Sequence, residues 1–177
     1  MTALLASAAS QIFEYPHPGY LDSLRTIAAE SWNCSPNAAK LFEELYSILS
    51  RLSLKESKEL YTRTFDLAPV CAPYLSVHLF GESNLKRAQL MAGLTELYII
   101  RNVETQHELP DHIGVLLRSL EKLLPSERAE ILLHCFKGSL KSMQAELARQ
   151  ENPYRLAIEA IAELVQTWLT QTEVNND

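Results

Sequence analysis

The run Glu108-Leu109-Pro110-Asp111-His112 lies near the middle of the chain, with a long helical pattern on either side. Before it, Leu90, Leu94, Leu97 and Tyr98 mark one helix face. After it, Ile113, Leu116, Leu117, Leu120 and Leu124 mark another at the spacing of a 3.6-residue turn. Proline offers no amide hydrogen and biases its predecessor away from helical geometry, so the chain must change direction here. Asp111, or Leu109 if Pro110 is the first helical residue, can occupy the cap. Glu108 and Asp111 sit where free amides and the positive end of a helix dipole favour negative charge. The run reads as a hinge, over about 102–112, between an N-terminal half (1–101) and a C-terminal half (113–170) with a frayed tail at 171–177. Taken locally, the same residues also make an ordinary helix start.

Outward from the hinge the punctuation is helical throughout. Thr2 caps a first stripe through Ile12, and Tyr15-Pro16 ends it. Pro18 opens a second helix through Leu21, Leu24 and Ile27, and Ser35-Pro36 opens a third with Leu41, Leu45, Ile48 and Leu52 beneath. Ser53 and Glu56 have capping-box spacing ahead of Leu60, Tyr61, Thr64 and Phe65. Pro73 begins a short helix closed by Gly81, and Asn84 caps a long one to about Arg101 with Lys86 and Arg87 facing outward. Leu132, Phe136, Leu140, Met143 and Leu147 keep phase across Gly138, and Asn152-Pro153 caps the last helix. No segment shows strand alternation bounded by hairpin turns, and the chain has only five glycines. The expected fold is all-α, a single-domain helical bundle.

Composition narrows the function. The chain has 177 residues, 47% hydrophobic and 21% charged, enough for one substantial core. A net charge of −6 argues against a binder of nucleic acid, which needs Lys and Arg to neutralise phosphates, and suits a partner carrying basic residues. Cys34, Cys71 and Cys135 are too scattered for a disulfide framework or a spaced metal set. His107-Glu108 followed by His112 has one residue too many for the zinc-helix signature, and Pro110 keeps both rings off one helical face. No metal or cofactor is expected. The apolar start, Met1 to Phe13, has no basic leader, and no run reaches the ~20 apolar residues that cross a bilayer, so a cytoplasmic protein without membrane insertion is expected. There is no phosphate-binding glycine loop and no nucleophile elbow, which lowers an enzyme reading.

Tyr61 and Phe65 share a helix face one turn apart, and Tyr74, Val77 and His78 line the next helix. Such a stripe usually makes core. A groove for an apolar peptide would use the same residue types, and the sequence leaves both uses open.

Three blocks then carry a resemblance: Tyr61-Thr62-Arg63-Thr64-Phe65-Asp66, His78-Leu79-Phe80-Gly81-Glu82-Ser83 and Glu108-Leu109-Pro110-Asp111-His112, in this order and spacing. Together with Ile12-Phe13-Glu14-Tyr15-Pro16 and Tyr154, they make the chain, over roughly 4–170, resemble the nitrate reductase assembly chaperones. These are the delta-subunit branch of the molybdoenzyme maturation chaperones. The resemblance implies an all-helical cytoplasmic chaperone that is not an enzyme. It would bind the N-terminal leader of the catalytic (alpha) subunit of a molybdenum-containing reductase and permit molybdenum cofactor insertion. Tyr61, Phe65, Asp66, His78, Gly81, Glu108, Pro110, Asp111 and His112 are the motif residues it carries over. The expected peptide contacts are Tyr61, Phe65, Asp66, Tyr74 and His78, with the hinge residues Glu108, Pro110, Asp111 and His112 alongside. Asp66, Glu108 and Asp111 would then meet the leader's Lys or Arg. The expected client is a respiratory nitrate reductase, with another molybdenum reductase or dehydrogenase as the alternative, and the competing class is a helical nucleotide- or metal-binding enzyme that uses the hinge carboxylates.

Overall fold

The structure, a computed structural model, describes residues 2–174. It is helical, as the periodicity predicts. The helices are α1 (Thr2–Ala9), α2 (Tyr20–Ser31), α3 (Pro36–Leu49), α4 (Leu54–Tyr61), α5 (Leu75–Phe80), α6 (Leu85–Arg101), α7 (Ile113–Ser119), α8 (Pro125–Ile131), α9 (Lys137–Arg149) and α10 (Tyr154–Val174). A 3-10 turn (Ser10–Phe13) follows α1, and wider π-helical turns follow α4 (Thr62–Asp66) and α8 (Leu132–Phe136). Among the described residues the only extended pairing is one antiparallel bridge, Tyr74 to His112. No helix among them is long and apolar enough to cross a membrane.

Most boundaries follow local chemistry. The Ser35 hydroxyl accepts from the Ala38 amide, Ser53 and Glu56 close their capping box, and Asn84 accepts from the Lys86 amide at 2.9 Å. Gly81 ends α5 at φ 79°, a conformation that favours glycine. Four boundaries differ. The short helix expected from Pro73 begins at Leu75, because Tyr74 is extended and bridges to His112 of the hinge, while the Pro73 carbonyl accepts from the Ile113 amide. The second helix begins at Tyr20 rather than Pro18, because Gly19 takes a left-handed conformation (φ 99°) just before it. The cap of α7 is neither Asp111 nor Leu109 but His112, whose Nδ1 accepts from the Gly114 amide at 3.1 Å. Finally, α10 runs to Val174 where fraying was expected from 171. The expected Thr2 side-chain cap and tail residues 175–177 lie outside the described residues.

One apolar core runs through both halves of the chain. Helix α10 packs on α3 and α9, α1 packs on α7, and α5 packs on α9, so elements before and after the hinge interleave. Where α5 meets α9, a Cβ at Gly138 would come within 2.9 Å of Leu79 Cδ2, the movable end of that side chain. Burying the large side chains Tyr154, Phe42, Phe136 and Ile12 supplies roughly 1.5–3 kcal/mol each.

Candidate peptide-binding cleft

Four segments meet at one open cleft of about 400 Å³: the turn after α1, the end of α4, the segment before α5, and the hinge. Phe13, Tyr61 and Phe65 make its floor, with Tyr154 behind them. Phe65 packs edge-on against Tyr154 (ring centres 4.9 Å apart), Tyr61 (5.4 Å) and Phe13 (5.7 Å). The Tyr61 hydroxyl donates to the Phe13 carbonyl at 2.7 Å, tying α4 to the turn after α1. Behind it the Tyr20 hydroxyl donates to the Ile12 carbonyl at 2.8 Å and lies 3.2 Å from the Tyr154 hydroxyl. Tyr20 has one proton, so Tyr154 donates in that second contact. Tyr61 and Phe65 are only 8% and 4% exposed, so they are core and cleft floor at once.

The π-helical turn aims this floor. Its widened bond runs from the Leu67 amide to the Thr62 carbonyl, at 3.1 Å. Thr64 donates to the Leu60 carbonyl and accepts from Asn152 Nδ2 at 2.8 Å, which joins the turn to the residue that caps α10. The chain then doubles back, with the Cys71 amide on the Thr64 carbonyl at 3.0 Å.

The rim is acidic. Glu14, Asp66 and Glu108 face Tyr61, whose hydroxyl is held well above its ordinary pKa by burial first, then by Tyr154 and these three carboxylates. Tyr15 stands half-exposed, edge-on to Tyr61, with Lys58 Nζ 5.3 Å from its ring centre. On the opposite rim Tyr74 packs on the His112 ring and makes a long 3.4 Å hydrogen bond to Glu108. Arg118 is the cation of the cleft. Its Nη1 lies 3.9 Å from Glu14, and its buried Nε has no hydrogen-bond partner among the described residues.

The hinge residues Glu108, Pro110 and Asp111 differ in what they touch. Glu108 is exposed at the rim, after two successive residues in left-handed conformations, Gln106 (φ 55°) and His107 (φ 71°). The Pro110 carbonyl accepts from the Tyr98 hydroxyl at 2.9 Å, which fixes the hinge to α6. Asp111, expected beside the leader's cations, is instead fully buried. Its Oδ2 accepts from Ser76 and lies 3.6 Å from Arg87, and Arg87 Nε donates to Ser76 Oγ at 3.0 Å. Arg87, expected to face outward, therefore turns in. Backbone bonds complete the seam, from the Leu75 amide to the Asp111 carbonyl and from the Ile113 amide to the Pro73 carbonyl.

A protein-family model described as nitrate reductase delta subunit matches residues 33–172. The chain belongs to this delta-subunit family. No curated protein matches it. The family is one of assembly chaperones, so a maturation role in general terms goes with membership. Of the residues singled out in this delta-subunit chain, the cleft gathers Tyr61, Phe65, Asp66, Tyr74, Glu108 and His112. It does not include Pro110, Asp111 or His78. The His78 side chain is only 3% exposed and faces α9 instead. Phe13, Glu14 and Tyr15 join the cleft although they precede the matched residues. Their signal was present in Phe13-Glu14-Tyr15, an acid between two aromatics at a helix end. Arg118 gave no such signal, since an arginine within an apolar helix reads as outward-facing.

His112 gives the cleft a measurable pH signature. Burial first, then the neighbouring Arg118 guanidinium, lower its pKa from 6.5 to about 4. The unfolded chain takes up this proton below about pH 6.5 and the folded chain only near 4. Stability from this residue is therefore complete above pH 6.5 and falls by about 1.4 kcal/mol per pH unit down to 4. His112→Asn keeps a capping side chain and does not titrate. Urea melts at pH 7 and 4.5 should show a smaller loss in the variant than in wild type, and an equal loss would place the imidazole in solvent.

Proposed function

We propose that this delta-subunit chain is the cytoplasmic chaperone of a respiratory nitrate reductase. It holds the N-terminal leader of the catalytic subunit in the cleft while the molybdenum cofactor is inserted. The observation that carries this reading is the cleft itself, in which residues from separate sequence blocks form an aromatic floor under an acidic rim. A basic amphipathic leader would lay its apolar face on Tyr15, Tyr74 and the floor rings, and bring its Lys or Arg to Glu14, Asp66 and Glu108. Apolar burial supplies the affinity, and charge sets the orientation and the encounter rate.

The client is expected to be the nitrate-reducing subunit rather than another molybdenum reductase, because the model that matches residues 33–172, from α3 into α10, is that of the nitrate reductase delta subunit. An enzyme built on the hinge would need both of its carboxylates and its histidine, and only Glu108 is exposed. Here Asp111 is bound to Ser76 and Arg87, and His112 holds a helix amide.

Calorimetric titration of the protein with the leader peptide of its nitrate reductase catalytic subunit tests the proposal. A one-to-one complex of about micromolar affinity, near −8 kcal/mol, is expected. Neither heat nor a shift in melting temperature would overturn leader binding.

A further inference from the structure

The sequence spacing pointed away from any metal, yet folding brings together one set of ligand types that lie 7 and 68 residues apart. We propose that Cys71, His78 and Glu146 form a binding site for a zinc ion. Cys71 Sγ, a His78 ring nitrogen and a Glu146 carboxylate oxygen all lie within 4.8 Å of one another. Each comes from a different element: the strap that doubles back from the π-helical turn, α5, and α9.

One pair of the three already has the spacing of ligands on a tetrahedral ion, and the third ligand lies within 4.8 Å of both. Zinc bonds of about 2.0–2.3 Å place neighbouring tetrahedral ligands roughly 3.3–3.8 Å apart. His78 Nδ1 and Glu146 Oε1 are 3.4 Å apart. The ring is also oriented as in a metal site. His78 Nε2 lies 2.7 Å from the Ala72 carbonyl, which can only accept, so Nε2 carries the hydrogen. Metal-bound histidines characteristically give their second nitrogen to such a carbonyl. In the neutral ring, Nδ1 then presents a lone pair toward a carboxylate oxygen, so that two acceptors face each other. An ion bonded to both resolves that opposition.

The scaffold holds all three ligands. The Cys71 amide is fixed to the Thr64 carbonyl, and α5 packs on α9. Zinc suits thiolate, imidazole and carboxylate together, and with three protein ligands it keeps a fourth position for water. On binding, the Cys71 thiol gives its proton to solvent and the ion takes the sulfur lone pair, with no change of oxidation state. The bound ion would clamp the strap between Asp66 and Pro73, one wall of the cleft, to α5 and α9. The site is independent of leader binding and stands or falls separately.

The test uses the full chain, stripped with a chelator and dialysed. Zinc is titrated against a chromogenic competitor, and cobalt(II) is then used as the spectroscopic probe. One equivalent of zinc is expected, with a thiolate-to-cobalt charge-transfer band and the strong visible absorption of tetrahedral cobalt. Cys71→Ser should abolish the charge-transfer band, while Cys34→Ser should keep it. Glu146→Gln alters a partly exposed side chain and so should leave the fold intact. It should weaken zinc binding by on the order of tenfold to a hundredfold, since even partners outside the ligand sphere cost that much. Absence of the thiolate band in wild type, its survival in Cys71→Ser, or unchanged affinity in Glu146→Gln would overturn the site. The three side chains would then be a histidine–glutamate contact beside a buried thiol.

Discussion

Asp111→Ala should cost the protein about 3–5 kcal/mol, because it removes one partner of a buried charge pair and leaves the other in place. Arg87 would keep the Ser76 hydroxyl and the Glu82 carbonyl but lose the only carboxylate it contacts among the described residues. The hinge would also lose its side-chain tie to α5. Glu108→Ala, three residues earlier, removes an exposed carboxylate and should change stability by no more than about 0.5 kcal/mol. Urea melts of the two variants separate these roles. Equal stabilities would mean that Asp111 is solvated and that the hinge is held by its backbone alone.

Phe65→Ala should be comparably damaging, at about 3–5 kcal/mol, because a buried ring leaves a cavity that its neighbours fill only in part. Three of those neighbours, Phe13, Tyr61 and Tyr154, are themselves fixed by hydroxyl bonds or close packing, so little collapse is available. A loss below 1 kcal/mol in urea melts would show an open groove at Phe65 rather than a packed floor. Because the ring belongs to the core, Phe65→Ala cannot report cleanly on peptide binding. Tyr15 and Glu108, on the rim, can.

What the sequence disclosed follows from how local each signal is. Caps at Ser35, Ser53, Asn84 and Asn152, and the stop at Gly81, depend on a few neighbouring residues, and all stand where the sequence puts them. All-helical architecture followed from the same periodicity. Whether Tyr61 and Phe65 were core or groove could not be read from spacing, since both uses need the same rings on the same face. In the structure both rings are buried and also line the floor of an open cleft. Asp111 was misplaced for a similar reason: an acid before a helix looks like a solvated cap until a distant arginine, Arg87, turns in to meet it. The π-helical turn at Thr62–Asp66 is tied through Thr64 to Asn152, 88 residues further on, a contact with no local trace in the sequence. Cys71, His78 and Glu146 likewise become neighbours only when α5 is laid on α9.

The central claim is that the acidic, aromatic cleft receives the leader of the nitrate reductase catalytic subunit, and Glu108→Lys tests it most directly. This residue is exposed, lies on the rim and bears no core contact, so its reversal leaves a folded protein whose melt serves as the control. Calorimetric titration of the leader peptide into wild type and Glu108→Lys should show the variant weaker. The gap should be wider at low salt than at high salt, because exposed charges are screened within about 10 Å at 0.1 M. A variant that binds as tightly as wild type at both ionic strengths would contradict the account and place the leader elsewhere on the protein.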